Sequence, residues 1–222
     1  AASDVYKRQI GFRVAGESGG DYTKVGIFAQ RTGTDQGWNN LDLIFAYNTV
    51  ANSGQVMVDD EKFRFMSTGR LGITSTSPSS ALDVRGGLSV GHGIIQERAF
   101  FETGGSPSGT FNINVLTNGM VYRTDANMAG TFTINLRGDG STTFNSLMDI
   151  GATSVYTFYA GSSNTSYVLQ NFQIDGSNIT EKWNGGSAPS AATGSGTDVY
   201  TFNIMKTADA TFTVFATFSN FA

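Results

Sequence analysis

The chain has 222 residues, of which 14% are charged, and it contains 28 glycines, no cysteine and a single histidine. A net charge of −4 with scattered lysines and arginines excludes a phosphate-binding stripe, so nucleic acid is not an expected partner. The lack of cysteine excludes disulfides, thiolate catalysis and cysteine-based metal sites. No apolar run reaches the length of a membrane helix, so membrane insertion is not expected.

Predicted β-strands follow one another along most of the chain. Short runs rich in Val, Ile, Thr, Phe and Tyr alternate apolar and polar residues between Gly, Asn and Asp turns. The clearest runs are residues 24–29, 41–47, 110–116, 199–205 and 211–218. No long window has a helical period, and the one expected exception is a short helical turn at 79–84. The sequence therefore predicts an all-β protein.

The composition changes at residues 86–93, where the sequence GGLSVGHG is half glycine. Before this segment the predicted strands are short and carry most of the charges, and after it they are longer and rich in Phe. We predict a β-rich region at 10–93 and a C-terminal domain at 94–222 with its own core. The first nine residues, AASDVYKRQ, resemble a translated sequencing-adapter remnant of metagenomic sequences, so 1–9 is interpreted as a non-native leader.

The C-terminal region contains a weak internal repeat. GTFNINVLTNG at 109–119 is similar to GTFTINLRGDG at 130–140, and VYTF occurs at both 155–158 and 199–202. In each long copy, Phe and Ile alternate with Thr or Asn before a turn-forming Asn-Gly or Asp-Gly. Reuse of hairpins is favoured over true duplication, so residues 94–222 are predicted to form an antiparallel, jelly-roll-like β-sandwich.

Residues 66–90, MSTGRLGITSTSPSSALDVRGGLSV, resemble a recurring element of phage tail fibres and related trimeric adhesins. The matching positions are Gly72, Ile73, Ser77, Pro78, Leu82, Asp83, Val84 and Gly86. Arg85 replaces the usual asparagine, and Thr74 replaces a second glycine, which argues against a tight left-handed turn there. The preceding residues resemble the shaft repeats of the same fibres, and the C-terminal region resembles the terminal domain of virion structural proteins from cyanobacterial phages.

The resemblance implies a trimeric shaft and collar at residues 10–93. A physical argument points the same way, because this Gly-rich region has few large aromatic side chains with which to offset the entropy of folding. Association of three identical chains would supply the missing core and cover the strand edges.

Candidate catalytic groups are few. His92 lies in a Gly-rich segment with no group to orient its ring, so it is not expected to act as a base. Three His92 rings near a trimer axis would be able to hold a metal ion or an anion, and the favoured alternative is an exposed turn. The acidic residues Asp59, Asp60 and Glu61 fit either a glycosidase pair or, the favoured alternative, a solvated turn. We therefore expect no catalytic residue, no cofactor and no enzymatic activity.

Trp183 is the main candidate for ligand binding. It lies beside Asn184 in the sequence KWNGG, before a Gly/Ser/Ala/Pro loop, where an exposed ring would stack on a sugar. The alternative is a tryptophan that folds back to cap the sandwich or to fill the trimer interface. Tyr167, Asn171 and Asp175 are weaker companions, chosen for their nearby polar loops.

These observations and the resemblance predict a virion structural protein. It would be the distal part of a phage tail fibre or similar appendage, a homotrimer that recognises a host-surface polysaccharide. Its expected partners are copies of itself, an upstream fibre or baseplate protein, and the host glycan. Its expected location is the phage tail and, during assembly, the bacterial host cytoplasm.

Two other functions stay open. A non-catalytic collar or decoration protein would bind another virion protein, and it would need a contiguous apolar patch instead of a polar groove. A glycan-degrading enzyme is the less favoured possibility.

Overall fold

The computed structural model describes residues 8–15, 21–31, 40–50, 54–89, 95–105 and 107–221. Within these ranges the regular structure consists of sixteen β-strands, two four-residue α-helices and one 3-10 turn. This confirms the all-β prediction. The chain divides between residues 93 and 94 into two compact units, which we call unit 1 and unit 2. Among the described residues, no helix is long and apolar enough to span a membrane.

Unit 1 contains a six-stranded sheet whose strands lie in chain order. These strands are β1 (Arg8–Ala15), β2 (Asp21–Arg31), β3 (Leu41–Tyr47), β4 (Glu61–Phe65), β5 (Leu71–Ile73) and β6 (Leu82–Val84). Neighbours from β1 to β5 pair antiparallel, and β6 pairs parallel with β5.

Two expectations for unit 1 are corrected by this sheet. Its first three strands are not short, because the continuous meander lets them run for 8, 11 and 7 residues. The segment 79–84 is not a helical turn, because its last three residues are held in an extended conformation by pairing with β5.

The apolar core of unit 1 is small. In its described part, the buried apolar cluster consists of Phe28, Ile44, Ala46 and Val56. On the same side of the sheet, the Arg64 guanidinium lies 2.9 Å from the Asp42 carboxylate and 2.5 Å from that of Glu61 (both N to O). Four apolar side chains and an ion-pair cluster bury little area, so the described part of this unit has a weak core of its own.

The segment that resembles the tail-fibre element contains β5, a tight loop and β6. A Cβ atom at Gly72 would lie 2.3 Å from the carbonyl oxygen of Ser75 and 2.7 Å from Cγ of Pro78, so this close approach requires glycine. Thr74 has a φ of 54°, so the expectation that threonine would prevent a left-handed turn is wrong. Its hydroxyl hydrogen-bonds to the carbonyl of Arg85, which offsets part of the strain.

The described residues of unit 2 form ten strands and both α-helices. The strands are β7 (Phe100–Glu102), β8 (Gly109–Asn114), β9 (Val121–Asn127), β10 (Phe132–Arg137), β11 (Thr153–Gly161), β12 (Leu169–Ile174), β13 (Ser177–Ile179), β14 (Lys182–Trp183), β15 (Thr197–Ala208) and β16 (Thr211–Phe221). The four-stranded sheet has the order β13-β12-β10-β8, and the six-stranded sheet has the order β14-β16-β15-β11-β9-β7. Helix α1 (Val115–Asn118) follows β8, and helix α2 (Phe144–Leu147) follows β10.

From β7 to β12 the chain alternates between the two sheets. Strands β7, β9 and β11 lie parallel in the six-stranded sheet, and β8, β10 and β12 lie parallel in the four-stranded sheet. From β7 to β12, strand direction therefore differs from the antiparallel, jelly-roll-like arrangement that was expected. The reason is that the turns containing α1 and α2 lead the chain to the opposite sheet instead of reversing it within one sheet. The pairs β11/β15, β15/β16 and β12/β13 are antiparallel, as expected.

The two long copies of the internal repeat contain neighbouring parallel strands, β8 and β10. The sequence similarity aligns Phe111 with Phe132, whereas the strand pairing sets Phe111 opposite Ile134, two residues further along. A shift of two residues keeps every side chain on its original face. Both strands therefore direct Phe and Ile into the core and Thr and Asn outward, as the alternation predicted.

Aromatic rings join the two sheets of unit 2. Phe172 of β12 stacks on Phe202 of β15 with ring centroids 4.1 Å apart. Phe132 of β10 lies 5.4 Å from Phe158 of β11, again with nearly parallel rings. These contacts belong to one continuous buried cluster, so the two sheets form a sandwich.

Candidate functional site

The sheet of unit 1 has an apolar side that its own core does not cover. One row of paired residues crosses all six strands, and it consists of Ile10, Ile27, Phe45, Phe63, Ile73 and Val84. A second row crosses from β2 to β6, and it consists of Ala29, Leu43, Phe65, Leu71 and Leu82. We call these two rows the apolar face. Directly paired residues point to the same side, so the face is continuous.

Large side chains of the apolar face are open to solvent. Phe45 and Phe63 stack with ring centroids 4.3 Å apart, and Phe65 lies 6.4 Å from each of them. Phe65 is nevertheless 47% exposed and Leu43 is 41% exposed. An apolar surface that continues across a whole sheet is typical of an interaction site.

The outward side of the four-stranded sheet of unit 2 has the opposite character. The strand alternation places hydroxyl and amide side chains on it, and we call this set the amide face: Thr110, Asn112, Thr133, Asn135, Asn171, Gln173 and Asn178. None of these side chains is charged. Hydroxyl and amide groups both donate and accept hydrogen bonds.

Four amides of this face form a straight row, because their residues pair across all four strands. Asn112 pairs with Asn135, Asn135 with Gln173, and Gln173 with Asn178. The Asn135 amide nitrogen donates to Oδ1 of Asn112 at 2.7 Å, and the Gln173 amide donates to Oδ1 of Asn178 at 2.8 Å. Asn135 is only 6% exposed, and its Oδ1 accepts the backbone N–H of Gly176 at 2.8 Å. These bonds fix the orientation of the amides.

A cleft of about 270 Å³ lies where the amide face meets the carboxyl ends of β10 and β12. It is lined by Asn135, Arg137, residues 139–143, Asp175 and Gly176. The Arg137 side chain is held by its Nε and Nη2, which donate to the carbonyl of Asp139 at 3.3 and 3.0 Å. The cleft thus contains one cation and two carboxylates.

Both carboxylates of the cleft are engaged by backbone groups. Oδ1 of Asp139 accepts the N–H groups of Ser141 and Thr142 at 2.7 and 2.6 Å, and these hydrogen bonds lower the pKa of Asp139. Asp175, in the left-handed conformation with a φ of 51°, accepts the first two N–H groups of helix α2. Because a lowered pKa keeps Asp139 ionised at neutral pH, this group is unsuited to donate a proton in catalysis.

The predicted sugar platform, Trp183, packs into unit 2. Its ring is half-buried and meets Phe202 edge to face at 6.1 Å, and its Nε1 is buried with no hydrogen-bond partner in the described chain. This placement corresponds to the alternative in which the tryptophan caps the sandwich. Asn184 follows it as an exposed residue, and its backbone N–H donates to the carbonyl of Ala216.

The other predicted residues are divided between several places. Tyr167 is partly buried against the core before β12, whereas Asn171 is exposed on the amide face and Asp175 lines the adjacent cleft. The structure therefore brings Asn171 and Asp175 to one region, and Trp183 lies in the other sheet. His92 lies outside the described residues.

The acidic run of unit 1 forms a 3-10 turn followed by the start of β4. Oδ2 of Asp60 accepts the backbone N–H of Met57 at 2.8 Å, and Glu61 pairs with Arg64. These two carboxylates are thus bound by groups of the fold. Over the described ranges there is no group of three or more His, Asp or Glu side chains that could hold a metal ion.

Sequence reasoning missed the amide row and Arg137. The signal that would have found them is the spacing Asn-x-Asn at 112–114 and Asn-x-Arg at 135–137 within the internal repeat. If the two copies are parallel neighbours, alternate polar residues line up across strands. The interpretation of the two copies as antiparallel hairpins does not predict that alignment.

No family model matches the sequence, and no curated protein is similar to it.

Proposed function

We propose that this chain is a non-catalytic virion structural protein, the distal part of a phage tail fibre or a similar appendage. In this proposal it assembles as a homotrimer whose three copies of unit 2 recognise a host-surface glycan. The observation that carries the proposal is the apolar face of unit 1. The resemblance of residues 66–90 to a tail-fibre element supports it independently.

The apolar face favours further copies of the same chain as its occupant. Every described side chain in its two rows is uncharged, so the rows of identical faces meet without like-charge repulsion. The charge next to them on the same side, Arg31, lies at the end of β2. The opposite side of the sheet buries only four apolar residues among those described, which leaves the described part of unit 1 short of a core. Three sheets that face one another would provide that core in a closed, symmetric assembly.

Trimeric assembly also explains how weak binding sites would hold a host surface. Three copies of unit 2 on one support face a repetitive polysaccharide together, so the second and third binding events occur at high effective concentration. Poor affinity at each copy then suffices for attachment. In this proposal an upstream fibre or baseplate protein holds the trimer on the phage tail, after assembly in the bacterial host cytoplasm.

The absolute mass of the full chain in solution tests the proposal. Light scattering after size exclusion is expected to give about three times the 23.6 kDa of one chain. A folded species of single-chain mass would contradict the trimeric fibre.

A second candidate function is the collar or decoration protein. The observation that favours it is a group of exposed apolar side chains on the outward side of the six-stranded sheet, where Val155 is 51%, Phe215 48% and Met205 38% exposed. Val155 and Phe215 lie on either side of Asn203 in the strand register. Such a patch suits a protein partner. A single-chain mass would favour this function over the fibre.

A further inference from the structure

The amide face suits a ligand that offers many hydroxyl groups. An ordinary solvated sheet face carries lysine and glutamate, whereas the two rows of this one carry only threonine, asparagine and glutamine. Arg137 follows on the same side of β10, where the face meets the cleft. The accessible groups of these rows are able to donate to one sugar hydroxyl and accept from another, whereas Asn135 is buried and holds its neighbours in place. Neighbouring strands lie about 4.8 Å apart, so the row from Asn112 to Asn178 spans about 14 Å, which is a length suited to a short oligosaccharide.

The row is already ordered before any ligand arrives. Asn135 is fixed by Asn112 and by the N–H of Gly176, and Gln173 is fixed by Asn178. Ordered side chains lose little rotamer entropy on binding. In the described part of the chain, Nδ2 of Asn112 and Oε1 of Gln173 have no hydrogen-bond partner, and both residues are at least partly accessible. The row therefore keeps free donors and acceptors.

The charges beside the face select against an acidic ligand. The adjoining cleft holds the carboxylates of Asp139 and Asp175 and a single guanidinium, Arg137. The whole chain has a net charge of −4. A polyanionic glycan would be repelled here, whereas a neutral one meets no electrostatic cost.

We propose that the amide face binds a neutral, hydroxyl-rich polysaccharide along the row Asn112, Asn135, Gln173 and Asn178. This inference rests on the proposed function, because it names the ligand class of the host-recognising unit. It replaces an aromatic platform with a line of preorganised amides. The contacts are hydrogen bonds between uncharged groups, so binding is expected to change little with salt concentration.

The test measures binding of the full chain to immobilised polysaccharides by biolayer interferometry. The neutral probes are dextran, mannan and galactan, and the acidic probes are alginate and polygalacturonate. We expect at least one neutral probe to bind with little dependence on sodium chloride, and the acidic probes not to bind. Binding only to acidic probes, or to none, overturns the inference.

Substitutions then locate the site. Asn112→Ala with Gln173→Ala is expected to weaken binding at least about tenfold, since two amides that contact hydroxyls are lost. The matched control is Asn203→Ala with Thr217→Ala, two exposed residues on the outward side of the six-stranded sheet, and it should bind as the wild type does. Should the first pair fail to fold, as judged by circular dichroism, Asn171→Arg blocks the face from an exposed position. Equal binding by the folded face variants and the control overturns the inference.

Different outcomes refute the trimeric fibre and the ligand class of the amide face. A trimer that binds no neutral probe refutes the ligand class and leaves the fibre standing. A single-chain species that still loses binding with the face substitutions refutes the fibre and supports the ligand class.

Discussion

Replacing Leu43 by aspartate distinguishes a trimer core from a merely exposed sheet. Leu43 lies in the second row of the apolar face and is 41% exposed in one chain. Covering the exposed part of this side chain is worth about 1 kcal/mol per copy. A carboxylate in its place costs several kcal/mol on burial, so the penalty over three copies is on the order of 10 kcal/mol. That weakens assembly by about seven orders of magnitude.

The assay is light scattering after size exclusion, with circular dichroism to verify folding. The wild type is expected at three times 23.6 kDa and Leu43→Asp at the mass of one chain. The matched control is Leu88→Asp, because Leu88 is 69% exposed and lies outside the strands. This control should keep the wild-type mass. A Leu43→Asp variant that retains the mass of three chains would refute the placement of the trimer core on the apolar face.

Three further predictions concern stability. In a urea titration, Gly72→Ala should lower the free energy of unfolding by about 2 kcal/mol, because the added Cβ would clash with the carbonyl oxygen of Ser75. The control Gly87→Ala has open space around its Cβ and should change that free energy by less than about 0.5 kcal/mol. Tyr156→Phe should raise that free energy by about 1 kcal/mol, since the buried hydroxyl has no partner in the described chain, and a loss would show that the hydroxyl is satisfied. The pKa of Asp139 is lowered in the folded chain, so its ionised carboxylate stabilises the fold at neutral pH. This stabilisation is lost as the pH falls through the pKa of Asp139 in the folded chain. Asp139→Asn should therefore unfold at a lower temperature than the wild type at neutral pH, and this difference in unfolding temperature should narrow below about pH 4. A difference that stays constant with pH would show that the Asp139 carboxylate does not stabilise the fold.

Much of the fold follows from local pattern, and its long-range pairing does not. Alternation of Phe and Ile with Thr and Asn predicts which sides of β8 and β10 are buried, because side-chain direction in a strand is a local property. Strand direction depends on where the intervening turn leads. Asn-Gly at 118–119 fits a hairpin in sequence, but in the structure it ends helix α1 and the chain passes to the other sheet.

In the candidate site, too, local pattern predicts some features and long-range strand pairing decides the others. An aromatic residue in a Gly-rich loop predicts an exposed platform only if the loop is free, and Trp183 instead belongs to a two-residue strand packed on Phe202. Asn171 and Asp175 were chosen for their polar surroundings and lie at the amide face and its cleft, because polar loop residues stay near the surface. The row itself requires the register of four strands, and that register is a tertiary property.

The low charge of the chain follows from how the proposed assembly would use its two kinds of sheet. In the proposed assembly, charge within the two rows of the apolar face would be costly, because each charged residue would be buried three times near an axis. An amide face that binds a neutral polymer also gains nothing from charge, since a fixed ion would hold water that the ligand must displace. On the opposite side of the sheet in unit 1, the buried charges are paired, since Arg64 lies against Asp42 and Glu61. In the proposed assembly, the same chain composition would serve association at one sheet and binding at another. A charge introduced on the amide face is expected to abolish binding and to spare the trimer, whereas a charge on the apolar face is expected to abolish the trimer and, with it, the gain from multivalent binding.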